Sequence, residues 1–169
     1  AMWRDRADLA RRRGVPAGVV DHLLERYGTL TVELLDMVHS DPALAAPLTG
    51  APEYLAAEVA YAVSAEGALH LDDVLTRRTR ISIETAHRGE ESAGETAEIM
   101  AAMLGWDAAT RAREVDHYLA RVAAERQSQR MPDDLTADAA RLGASDVRGH
   151  GAETAADRAP NRGAAGLPG

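Results

Sequence analysis

Residues 52–84, PEYLAAEVAYAVSAEGALHLDDVLTRRTRISIE, decide the fold. The first half opens with Pro52 and closes at Gly67, the start and stop chemistry of a helix, which predicts one over about 53–66. At about 100° per residue, Leu55, Val59, Ala62 and Val63 share a face with Glu66, and Glu58 lies at its edge. A companion helix begins near Leu71. On its wheel Leu71, Val74, Leu75, Arg78, Ile81 and Ser82 fall together, while Asp73, Arg77 and Arg80 fall opposite. The connector from Gly67 to His70 is short, so the two helices should be antiparallel or sharply crossed neighbours.

Arg78 is the anomaly in this pattern, because a guanidinium within an apolar stripe must find a carboxylate or carbonyls. The expectation is a buried Glu66–Arg78 pair, with Glu58 as the substitute acid. Removing one partner of such a pair costs about 3–5 kcal/mol, since the other is left charged and unmatched. The competing reading lets Arg78 run past Val74 and Leu75 into solvent. Arg77 follows Asp73 by four residues, a helix-surface pairing worth about 0.2–0.5 kcal/mol. Arg77 could equally dock something outside the helix.

Outward from this stretch, helical signals continue and no period-two strand run of useful length occurs. VPAGVVDHLLERYG (15–28) carries an early Pro16, apolar residues at 19, 20, 23 and 24, and a closing Gly28. A short helix follows around Leu30–Val38, then a loop of about a dozen residues in SDPALAAPLTGAP. GETAEIMAAMLGW reads as a short amphipathic helix closed by Gly105. The longest helix, DAATRAREVDHYLARVAAERQSQ, has Asp107 as its N-cap. Residues 136–169 hold four acids, four arginines and almost no large apolar group, a composition that cannot offset its own ordering entropy. The fold class is all-α: a compact bundle of about five to six helices over 1–135, with a disordered C-terminal tail over 136–169.

The 169 residues include no Lys, Phe or Cys, so the core is aliphatic, every basic side chain except histidine is Arg, and disulfides and thiolate chemistry are excluded. A net charge of -8 opposes general affinity for nucleic acid or anionic membranes. No apolar run approaches the roughly 20 residues that cross a bilayer, and the chain reads as soluble. Ala1 ahead of Met2 reads as a junction, and the chain as a fragment.

Two Glu-x-x-His spacings, Glu84/His87 and Glu114/His117, imitate a carboxylate-bridged di-iron bundle, with Glu58 and Glu98 as nominal further ligands. Geometry argues against it: the core stripe of the long helix is Val115, Tyr118, Leu119 and Val122, with His117 about 150° away and Glu114 at the edge. Glu66, His70 and Asp73 form a weaker metal triad, broken in register by Gly67. His22 and His39 read as surface or cap residues. No P-loop, GxGxxG, GxSxG or zinc spacing occurs, so no self-sufficient catalytic constellation is legible and no catalytic, metal or cofactor-binding residue is assigned.

The order HLLERYG, YLAAEVAYAVSAEGALHLDDVLTRRTRISIE, MAAMLGW and VDHYL resembles the C-terminal helical domain of FAD-dependent glycerol-3-phosphate dehydrogenases and the related glycerophosphate oxidases, over about residues 15–130. ERQSQRMPDD is similar to the actinobacterial branch. The resemblance implies a parent that oxidises glycerol 3-phosphate to dihydroxyacetone phosphate and passes electrons through FAD to a quinone, as a peripheral protein on the inner, cytoplasmic face of the membrane. It implies docking onto the flavin domain of the parent chain through an exposed apolar face, with Arg77 and Arg80 as candidates for the docking face and exposed ion pairs as their equal alternative, and a possible homodimer. The fragment itself should carry no cofactor and no activity, because the flavin and substrate domains are missing. The alternative is a stand-alone helical interaction or regulatory module.

Overall fold

The computed structural model describes residues 4–130 and 142–143. The tail expected over 136–169 lies, apart from Leu142 and Gly143, outside the described residues. The fold is all-α with one small hairpin, and α-helices number seven among the described residues. In chain order they are α1 (Arg6–Arg13), α2 (Ala17–Tyr27), α3 (Thr31–Ser40), α4 (Ala56–Ser64), α5 (Ile81–Glu84), α6 (Glu90–Leu104) and α7 (Ala108–Ser128). Strands β1 (Pro47–Leu48) and β2 (Ala51–Leu55) pair antiparallel between α3 and α4, and a π-helical turn spans Asp73–Arg78.

The long C-terminal helix begins where expected, with the Asp107 carboxylate accepting the Thr110 amide at 2.7 Å. Other elements depart from the sequence reading, beginning with α1, which it does not include. The loop after α3 holds a 3-10 turn and the hairpin, with Gly50 at φ 70° between the strands and against Glu91. Residues 53–55 belong to β2, so α4 starts at Ala56, where the Glu58 side chain reaches back to the Leu55 amide at 2.8 Å. The helix holding Glu98 is 15 residues long, because Gly89 at φ 75° lets it begin as early as Glu90.

Two apolar cores meet on α4. One gathers Leu48, Tyr54, Val59, Leu71, Val74, Leu75, Ile81, Ala97, Met100, Tyr118 and Val122. The other gathers Val20, Leu23, Leu24, Leu34, Leu35, Val38, Ala57 and Tyr61. Val59 and Ala62 of α4 face the first core while Ala57 and Tyr61 face the second, so this helix is covered on both sides. Its alanines make that possible: small side chains let neighbouring backbones approach without leaving voids.

Candidate functional site

The arginine-rich stretch forms a corner instead of a straight helix. Thr79 donates its amide to the Val74 carbonyl at 2.9 Å, an i→i+5 bond, and its hydroxyl bonds the same carbonyl at 2.8 Å. Five-residue winding carries Thr79 inward, fully buried, and leaves Arg78 exposed. Arg80 then takes φ 65° and turns the chain into α5.

The expected Glu66–Arg78 pair does not form. The wheel fails twice: the π turn rotates Arg78 out, and α4 ends at Ser64, leaving Glu66 beyond the helix. Glu66 is half-buried, and its charge acts on Tyr27 and Tyr61. Arg77 pairs with Asp73 at 2.5 Å and Asp72 at 3.3 Å, and Arg80 reaches Glu84 only at 3.7 Å.

The buried charge pair lies elsewhere. Glu58, at 0 % exposure, accepts the Leu55 amide, stands 3.2 Å from His22 Nε2 through both oxygens, and sees Arg26 Nε at 3.5 Å. The substitute acid thus does lie inside, but its cation is Arg26. Arg26 also donates to the Tyr54 hydroxyl at 3.1 Å and to the carbonyls of Arg78, at 3.2 Å, and Thr79. Its guanidinium carbon lies 4.8 Å from the Tyr54 ring centroid. One side chain on α2 therefore satisfies the end of the π turn, 52 residues away. Tyr54 in turn donates to Glu84, and burial, with that bond second, pushes its phenol well above the usual range. Burial, then the charge on Glu58, does the same to Tyr27.

His22, read from sequence as a surface residue, is one of the two side chains aimed at Glu58. Sequence did hold a signal for this. His22 and Arg26 are four apart on α2, flanking Leu23, and so share one side of the helix. The start of the π turn is held by a second buried acid: Glu114, 6 % exposed, accepts the Leu71 amide and lies 2.9 Å from His70 Nδ1. The edge position assigned to Glu114 is corrected accordingly, because α7 leans toward residues 70–71. Asp73 accepts the amides of Leu69 and His70; burial works against ionisation there, but these bonds win and lower its carboxyl below the usual value.

The acids and histidines of the two Glu-x-x-His spacings disperse into separate contacts. Glu114 meets His70, His87 lies 3.9 Å from Glu91, and Glu98 pairs with Arg111 at 3.4 Å. Among the described residues no three such side chains stand together to hold a metal ion. Beside the corner, Gly50–Tyr54 and Glu84–Ala86 line a half-open cleft of about 240 Å³. The arrangement is a corner tied from behind by Arg26, with arginines facing outward.

A family model described as the C-terminal domain of alpha-glycerophosphate oxidase matches residues 1–111. Glycerol-3-phosphate dehydrogenase 2 of Mycobacterium tuberculosis is 56% identical over 129 residues, covering 76% of this chain and 22% of the relative. Glycerol-3-phosphate dehydrogenase of Mycobacterium leprae is 48% identical over 140 residues, covering 83% and 24%. A probable mitochondrial glycerol-3-phosphate dehydrogenase of Dictyostelium discoideum is 29% identical over 98 residues, covering 58% and 15%. The chain thus spans less than a quarter of the length of these curated relatives. No solved structure matches.

Proposed function

Because the chain belongs to the family of the C-terminal domain of alpha-glycerophosphate oxidase, we propose that it serves as the helical C-terminal portion of an FAD-dependent glycerol-3-phosphate dehydrogenase. The carrying observation is the high identity to mycobacterial enzymes of that name over most of this chain. The parent would convert glycerol 3-phosphate to dihydroxyacetone phosphate and deliver the electrons to a quinone, as a peripheral protein on the cytoplasmic side of the membrane. Among the described residues no helix is long and apolar enough to cross a bilayer.

Flavin binding in dinucleotide folds uses a parallel strand, a Gly-rich turn and a helix N-terminus for the pyrophosphate. Among the described residues the strands form only the antiparallel β1–β2 hairpin. These residues do not fit the flavin, and no step of the oxidation is assigned to them. Their part is to present a preformed surface to the flavin-bearing portion of the parent, with homodimer contacts as a further use of the same helices.

The test supplies this chain in trans to a parent dehydrogenase truncated ahead of the matching region. Co-elution on size exclusion and a gain in glycerol 3-phosphate-dependent dye reduction are expected. Separate elution with unchanged activity would instead make the chain a stand-alone interaction module.

A further inference from the structure

Arg80 and Arg88 are the non-glycine residues with positive φ among the described residues, at 65° and 54°. Such a backbone costs an L-residue energy that the surroundings must supply. For Arg88 they do: its guanidinium pairs with Glu125, and its carbonyl accepts the Tyr118 hydroxyl at 2.5 Å. The Arg80 carbonyl accepts the Ile83 and Glu84 amides at 2.9 and 3.1 Å, support that any residue's backbone would receive, but its side chain is held far less than that of Arg88. The Arg80 side chain is 60 % exposed, and its one ion pair among the described residues, with Glu84, spans 3.7 Å. Nothing within the fold calls for an arginine there, and glycine would take the same φ without strain.

Its neighbours are equally outward. Arg78 is exposed, and its guanidinium has no hydrogen-bond or ion-pair partner among the described residues. Ile83, one turn on from Arg80, is 66 % exposed. A chain of net charge -8 therefore leaves two arginines and a bare isoleucine together at one corner. The corner's backbone is tied down within the fold itself, because Arg26 holds the carbonyls of Arg78 and Thr79 from behind and Thr79 is fully buried. Preformed surfaces lose less entropy on association.

We propose that Arg78, Arg80 and Ile83 form the face that docks the flavin-bearing part of the parent dehydrogenase, which would present carboxylates around an apolar patch at that point. The inference rests on the functional reading above and names its contact surface. The charge pattern favours a protein over a bilayer: Glu53 and Glu84 line the adjoining cleft, and Asp72 and Asp73 stand at the start of the π turn, so an anionic membrane would meet repulsion beside each arginine. A protein surface can match alternating signs residue by residue.

Titration calorimetry of the full 169-residue chain against the truncated parent tests this. Wild type should bind, less tightly as salt rises. The double substitution R78E/R80E should weaken binding by at least about tenfold. Ile83→Ser should weaken it without altering the salt dependence. Arg80→Gly should raise the melting temperature while reducing affinity, a split that a merely structural role would not give. Arg113→Glu, on the exposed side of α7, should leave Kd unchanged. Absence of wild-type binding would remove the parent reading itself. Equal Kd for wild type and a folded R78E/R80E would overturn this face while leaving that reading intact. Binding of wild type, but not of R78E/R80E, to vesicles of phosphatidylcholine with phosphatidylglycerol would also overturn it, in favour of a membrane.

Discussion

At the scale of single residues, Glu58 and Arg78 exchange the roles that a regular helical wheel gives them. Glu58 is sealed from water with His22 and Arg26 around it, so truncating either charge strands the other. Glu58→Leu and Arg26→Leu should each lower unfolding free energy by about 3–5 kcal/mol in urea titration. Arg78→Leu should stay within about 0.5 kcal/mol of wild type, because its exposed guanidinium has no hydrogen-bond or ion-pair partner among the described residues while its carbonyl still accepts from Arg26. The importance of Arg26 was not legible in one dimension. A wheel shows which way a side chain leaves its own helix, but the partner lies 32 positions further on, and only packing of α2 against α4 supplies it. Glu58 at a stripe edge was visible; what it would meet was not.

At the scale of elements, the π turn explains why a correct apolar pattern led to the wrong arginine. A π turn is an α-helix holding one residue more, so deleting Thr76 should convert it to α while keeping Thr79 beneath Val74. That deletion should cost no more than about 2 kcal/mol. Deleting Ala60 from α4 should abolish the cooperative melt, because every later side chain on that helix would rotate by about 100° out of register with the two cores it now fills. Circular dichroism melts compare the two. Element ends follow local chemistry more closely, as the Asp107 cap shows. Its bond from the Thr110 amide lowers the carboxyl below the ordinary 3.8. The folded state therefore binds that proton less readily than the unfolded chain, and the cap contributes fully above about pH 4. The contribution disappears as pH falls through the lowered value. Wild type should accordingly lose more melting temperature than Asp107→Ala between pH 5 and pH 3, values about one unit either side of the usual carboxylate range.

At the scale of the whole molecule, α4 couples two cores that would otherwise be separate units. Ala57 is fully buried where the second core closes on it. Ala57→Leu should cost about 1–3 kcal/mol through overpacking, and the loss should register equally in far-ultraviolet dichroism and tyrosine fluorescence if both cores unfold together. The all-α class, the helices around 17–27, 31–40 and 108–128, the Asp107 cap and the family resemblance were all determined by the sequence alone. Each rests on contacts within a few residues or on a shared string of residues. The tertiary structure alone decided that Arg26, not Arg78, neutralises the buried acid, that Glu114 holds the turn at Leu71, and that residues 73–78 wind with five-residue spacing. The physical reason is common to all three: a buried charge or an unusual turn is fixed by whichever donor the packed neighbour brings within reach, and that neighbour comes from distant sequence.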